Sequence, residues 1–167
     1  MKKINYLKHD PTMPDGYGNS VAIDLYTKED IVIEAGEFAL IDLGVSIQIP
    51  EGYKIDMRMR SSTFKKWGLI QTNSLALIDS TYTGPEDVIK LPVFKPLTKE
   101  DIKAYVANGN YNLDTFSPSR ICIPKHTALC QMEIIPCMEK VEFSELTLEE
   151  YKEYNKVSRG GFGSTDK

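Results

Sequence analysis

From Ile31 to Arg60 the chain repeats one pattern, short apolar runs broken by turns that carry glycine or proline. Ile31-Val32-Ile33 and residues 38–43 flank a turn at Ala35-Gly36. Val45-Ser46-Ile47-Gln48-Ile49 alternates apolar and polar, and so does Ile55-Asp56-Met57-Arg58-Met59-Arg60 after the turn Pro50-Glu51-Gly52. Successive side chains of a strand point to opposite faces, so such a run is a half-buried strand. A series of them with turn signals between predicts a sandwich or a jelly roll. Further strands are predicted at residues 4–7, 21–26, 69–72, 75–78, 88–94, 120–123, 128–135 and 141–143, with Pro92 marking an edge or a bulge. Residues 10–19 are rich in Pro, Gly, Asp and Asn and read as a loop.

Three stretches depart from the β pattern. Arg60-Ser61-Ser62 opens Thr63-Phe64-Lys65-Lys66-Trp67-Gly68, read as one or two helical turns with a serine cap and a glycine stop. Residues 95–119 read as an insertion, with a short helix over residues 98–106 whose apolar face is Ile102, Tyr105 and Val106, and a turn at Asn108-Gly109-Asn110. Residues 144–154 read as a helical turn or two, with Leu146, Tyr151 and Tyr154 on one side. No repeat or low-complexity run divides the chain, and 167 residues suffice for one domain with a core.

Composition excludes several function classes. The net charge of -4 argues against a general nucleic-acid surface, so an anionic nucleotide needs local Arg, Lys and a metal. Three cysteines, Cys122, Cys130 and Cys137, form no Cys-x-x-Cys, and His9 and His126 are the only histidines. This excludes the zinc deaminase signature. Cys122 and Cys130 lie in apolar runs and read as buried free thiols in a reducing cytoplasm. Residues 2–10 have no apolar core of the kind a targeting signal needs, and a cytoplasmic location is expected.

The candidate chemistry lies in Asn73-Ser74-Leu75-Ala76-Leu77-Ile78-Asp79-Ser80-Thr81-Tyr82-Thr83-Gly84. Leu75 to Ile78 read as a buried strand ending in a turn. A carboxylate at that end, Asp79, is held rigidly and partly out of water, which suits a general base. The alternative is an Asp that only caps the turn. Tyr82 can lay a flat face against a ring. Arg60, Ser61 and Ser62 at a helix start are either a phosphate site or simple capping. Asp24, between Ile23 and Leu25, faces away from both. Three glycines surround Phe162 in the tail, and such a segment cannot stay packed alone.

Together, Arg60-Ser61-Ser62, Leu77-Ile78-Asp79-Ser80-Thr81-Tyr82-Thr83-Gly84 and Gly160-Gly161-Phe162-Gly163-Ser164-Thr165 resemble the trimeric dUTP pyrophosphatase (dUTPase) family, of bacterial or phage type. The resemblance runs through five motifs, from Ala22-Ile23-Asp24-Leu25 to Thr165, nearly the whole chain. It implies an all-β distorted jelly roll, here over residues 1–155, with residues 156–167 as a flexible C-terminal lid. It implies a homotrimer with shared active sites that hydrolyses dUTP to dUMP and diphosphate with Mg²⁺. Asp79 orients and deprotonates the attacking water, and Asp24 holds water on the magnesium. Arg60, Ser61, Ser62 and Gln131 contact phosphate. Asn73, Ala76 and Ile78 lie on a hairpin that reads uracil through its main chain, and Tyr82 packs under the deoxyribose. From the tail, Phe162 stacks on the base, Arg159 pairs with the γ-phosphate, and Gly163, Ser164 and Thr165 complete the phosphate contacts.

This chain departs from the pattern at several positions. Ala76 stands where the family has Gly. The fourth motif, Gly-Asp-Arg-Ile-Ala-Gln, becomes His126-Thr127-Ala128-Leu129-Cys130-Gln131. Arg159 sits nearer the Gly-Gly pair than in many relatives, and Asp166 replaces a common Gly. Two alternatives follow: a dCTP deaminase of the same fold, with Glu86 as its glutamate, or a regulatory binding protein whose partner surface is residues 95–119.

Overall fold

The computed structural model describes residues 3–9, 20–107, 109 and 116–154. The residues up to Cys137 belong to one compact unit, and those from Met138 onward to another. In the first unit the strands are β1 (Asn5–Lys8), β2 (Ile23–Tyr26), β3 (Ile31–Glu34), β4 (Phe38–Asp42), β5 (Val45–Gln48), β6 (Tyr53–Met59), β7 (Ile70–Gln71), β8 (Ala76–Asp79), β9 (Lys90–Phe94), β10 (Arg120–Ile123) and β11 (Ala128–Pro136). Two helices interrupt them, α1 (Thr63–Trp67) and α2 (Lys99–Ala107). Four small antiparallel sheets result, β1-β5, β10-β3, β2-β11-β6-β8 and β4-β9-β7, so the expected all-β jelly roll is the fold observed.

The inner faces of these sheets meet in one core. Leu25, Ile33, Ile41, Ile55, Met57, Leu69, Leu91, Ile123, Leu129 and Met132 are all but inaccessible within it. Each large apolar side chain so buried contributes roughly 1.5–3 kcal/mol before chain entropy is subtracted. Along β6 the period of two is clear: Ile55 and Met57 enter the core, while Lys54, Asp56 and Arg58 take the other face. Asp56 is nonetheless buried, and the Lys54 ammonium lies 3.1 Å from its Oδ1.

Several local expectations need correction. Residues 75–78 are not a buried strand. β8 is the edge of its sheet, so only Ala76 is buried, Ile78 is half-buried, and Leu77 remains 59% exposed. Ser46 is buried on the polar face of β5; its hydroxyl donates to the Pro85 carbonyl and meets His9 Nε2 at 2.9 Å. Pro92 lies on the middle strand of its sheet, opposite Leu40 of β4, and its carbonyl still accepts from Thr72 N at 3.2 Å just past β7, so the expected edge or bulge is not found there; the ring costs the ladder only the N–H that proline lacks. Cys122 is exposed, whereas Cys130 is buried and unpaired. Burial, and then the charge of Asp24, push the Cys130 thiol well up from its ordinary value.

The predicted helix of the insertion is present as α2, but its apolar face is not buried. Ile102 and Val106 are about half exposed; the buried residue is Asp101. Its carboxylate accepts hydrogen bonds from Thr98 N at 2.8 Å and Thr98 Oγ1 at 2.7 Å, and from Ser119 N at 2.7 Å and Ser119 Oγ at 3.1 Å. Tyr105 packs edge-on to Phe116 at 5.2 Å. In the second unit, residues 138–147 have no regular structure, so the strand expected at 141–143 is absent. Helix α3 (Leu148–Tyr154) starts with a capping box, Thr147 N donating to the Glu150 carboxylate and Glu150 N to Thr147 Oγ1.

Candidate active site

The hairpin from β7 to β8 builds one half of the site. Its turn requires Ser74 in the left-handed region at φ 57. β8 then pairs with β6, placing Ala76 opposite Met57 and Asp79 opposite Lys54. At the end of the strand Asp79 Oδ1 accepts from Thr81 N at 2.9 Å and from Thr81 Oγ1 at 2.6 Å. The Asp79 carbonyl also accepts from Tyr82 N. Asp79 therefore does cap its turn, and in the single chain it is exposed rather than partly out of water. The Thr81 hydroxyl, and then its N–H, hold the Asp79 carboxyl below its ordinary value, so it is ionised at neutral pH. Both bonds fall on Oδ1. Oδ2 has no hydrogen bond among the described residues and is the oxygen left to engage a water.

Tyr82 is fixed by its hydroxyl, which donates to the Val88 carbonyl at 2.9 Å. Burial, and then the charges of Asp87 and Asp42, push that phenol up. Beside it opens a cavity of about 520 Å³ lined by Leu40, Asn73, Ala76, Leu77, Ile78, Asp79, Thr81, Tyr82 and Lys90 among others. That volume is in the range of small-ligand sites. The Ala76 methyl is accommodated within the core.

The other candidate site residues lie elsewhere on the same sheet. Asp24 of β2 faces Gln131 of β11, which faces Arg58 of β6. Just past β6, Arg60 Nε lies 3.3 Å from Asp24 Oδ1. Both side chains are about a third exposed, so this pair contributes under ~1 kcal/mol and yields readily to other partners. Arg58 is engaged by Glu133 at 3.5 Å. The Leu129 carbonyl pins the start of α1, accepting from Arg60 N at 3.0 Å and Thr63 Oγ1 at 2.6 Å. Ser62 occupies the N-cap position but makes no capping bond, because its backbone is already helical. The serine cap is thus a misreading, while the glycine stop holds: Gly68 is left-handed at φ 66 and its N–H reaches Phe64 O. Ser61 and Ser62 remain exposed.

His126, where the resemblance has Gly, adopts a left-handed backbone at φ 61. Its N–H donates to the Thr27 carbonyl, which ties this turn to the end of β2. Thr81 supports the candidate carboxylate and is not among the site residues read from the sequence. Thr81 was detectable as the hydroxyl two residues after Asp79, a spacing that closes a turn on the carboxylate.

The two halves do not meet within one chain. Asp79 lies opposite Lys54, and Arg60 follows six residues further along that strand. At about 3.3 Å per residue the separation is about 20 Å. Arg159, Phe162, Gly163, Ser164 and Thr165, with the rest of residues 155–167, lie outside the described residues, as do the loop at 10–19 and most of the turn at 108–110. Among the described residues no group of three or more ligand-type side chains is gathered for a metal. A lone, partly exposed carboxylate such as Asp24 suits an ion that keeps most of its waters.

A family model described as dUTPase matches residues 9–106. The SPbeta prophage-derived deoxyuridine 5'-triphosphate nucleotidohydrolase YosS of Bacillus subtilis is 34% identical over 163 residues, covering 98% of this chain and 96% of that protein. Among solved structures, the dUTPase of phage phi11 of S. aureus superposes with TM-score 0.66 at 18% identity, over 89% of this chain and 99% of that one; its description names a structural Mg(II) ion. The dUTPase of Staphylococcus bacteriophage 80alpha, solved with dUPNHPP, superposes with TM-score 0.65 at 17% identity over 98% of each chain.

Proposed function

The chain belongs to the dUTPase family, and we infer that it hydrolyses dUTP to dUMP and diphosphate. A water oxygen bonds to the α-phosphorus, the α–β bridging oxygen departs with diphosphate, and the water's proton passes to Asp79. The observation that supports this most directly is the turn that fixes Asp79 and Tyr82 side by side on the cavity, with one carboxylate oxygen anchored by Thr81 and the other open. An ionised, pre-positioned carboxylate lowers the barrier mainly by placing the water.

The hairpin from Asn73 to Ile78 takes the base, and Tyr82 packs against the sugar. Arg60, Ser61, Ser62 and Gln131 bind phosphate, and the Asp24–Arg60 pair opens to do so. Mg²⁺ supplies charge neutralisation on the phosphates, with Asp24 as its water-mediated anchor. Residues 156–167 close over the nucleotide, bringing Arg159, Phe162, Gly163, Ser164 and Thr165. Because Arg60 lies about 20 Å along the chain from Lys54, the residue opposite Asp79, a site that uses both draws on different copies; this supports a shared-site oligomer, for which the resemblance implies a homotrimer. Its setting is the cytoplasm, in keeping with the free cysteines. Steady-state turnover of dUTP with Mg²⁺ tests the reading. Diphosphate release supports it, and ammonia release from dCTP without dUTP turnover overturns it in favour of the deaminase.

A further inference from the structure

Gln71 occupies a core-facing position on β7 and is only 7% exposed. An apolar side chain is the usual occupant of such a position. Its Nε2 donates to the Met57 carbonyl at 3.2 Å and to Asn73 Oδ1 at 2.9 Å, while its Oε1 is buried with no hydrogen bond. A buried acceptor without a partner is costly and calls for a reason.

The geometry points to one: we propose that Gln71 is a positioning residue that sets the hydrogen-bonding polarity of Asn73 toward the nucleobase. The logic begins at the main chain. A carbonyl can only accept, so Met57 O fixes the Gln71 amide with its NH₂ group inward. The second N–H of that group then claims Asn73 Oδ1. Asn73 lines the cavity, and its own NH₂ is thereby the end left for a ligand. An amide that rotates freely offers a donor or an acceptor indifferently; this one offers a donor. The Asn73 NH₂ matches a base that presents a carbonyl oxygen, as uracil does, and opposes one that presents an amino group there, as cytosine does. Both amide orientations thus follow from a single backbone oxygen on β6, the strand that also pairs with β8.

The inference rests on the proposed dUTP reading, and its test separates the two. Turnover of dUTP by the wild-type protein tests the reading alone. The variant Gln71→Met keeps length and apolar packing but removes both hydrogen bonds. It is expected to raise KM for dUTP about tenfold and to lower the dUTP-to-dCTP ratio of kcat/KM by a similar factor, with kcat within about twofold. Its melting temperature should not fall, because the unpaired oxygen goes too. A variant that fails to fold, or that loses kcat and stability together, assigns Gln71 a purely structural role and overturns the proposal. So does a folded variant with unchanged KM and selectivity. Independently of turnover, the Asn73 side-chain NH₂ resonance of the wild-type protein should shift on adding dUMP and not on adding dCMP. Equal responses to both nucleotides also overturn it.

Discussion

As the proposed base, Asp79 needs no unusual environment to be ionised at neutral pH; what Thr81 adds is a fixed orientation of the carboxylate. The Thr81 hydroxyl is the largest cause of the lowered Asp79 pKa, followed by the Thr81 N–H. The base form is complete above the ordinary value of 3.8 and is lost only as pH falls through the lower folded value. Thr81→Val removes the hydroxyl bond and keeps the N–H. The acid limb of kcat/KM should move to higher pH, with a several-fold loss of rate at neutral pH from looser positioning of the carboxylate. A pH–rate profile superimposable on the wild type would remove Thr81 from the account. The turn that carries Asp79 and Tyr82 was legible because a strand end followed by turn residues is a local pattern. The sequence did not reveal which carboxylate oxygen is anchored, nor the amide chain through Gln71, since both depend on pairings between strands far apart in sequence.

At the scale of elements, strand order was less readable than strand position. β4 and β9, some fifty residues apart, pair in register, as do β3 and β10, some ninety apart; alternation alone cannot choose such partners. The same limit explains the apolar residues 75–78, which looked buried until β8 proved to be an edge. Helix α2 was visible from its periodicity, yet what holds it is Asp101, which caps the helix through Thr98 and ties it to Ser119. The Thr98 N–H, with further bonds from Ser119 and the Thr98 hydroxyl, outweighs burial and holds that carboxyl well below 3.8. Asp101→Ala leaves a cap and the Ser119 N–H unsatisfied, at a cost of about 2–4 kcal/mol in stability. A depressed folded pKa means that the stabilisation is full above 3.8 and declines as pH falls below it. The gap in melting temperature between wild type and Asp101→Ala should be constant from about pH 7 to about pH 5 and shrink in stronger acid. Scanning calorimetry across that range reads it directly, and a gap that widens in acid would reverse the assigned role.

The whole molecule carries the two predictions that no single chain can answer. The tail motif was legible from Gly160 to Thr165, and its proposed role as a lid is tested by ending the chain after Val157. The shortened protein should melt at the wild-type temperature with kcat lowered at least about a hundredfold, because one aromatic face, one guanidinium and the exclusion of water are lost together. A large fall in melting temperature would instead make residues 158–167 part of the core. The second prediction follows from the length of β6. With Asp79 opposite one end and Arg60 beyond the other, about 20 Å away, one chain cannot bring both to the same phosphate chain. Asp79→Asn and Arg60→Ala should each be nearly inactive alone. If they are unfolded, mixed in equal amounts and refolded, a site that takes Asp79 from one copy and Arg60 from its neighbour is intact when each happens to be wild type. Random assembly makes that about a quarter of sites, so about a quarter of wild-type activity should return. A site built within one chain gives a different result, because every chain in the mixture lacks one of the two groups and no activity reappears.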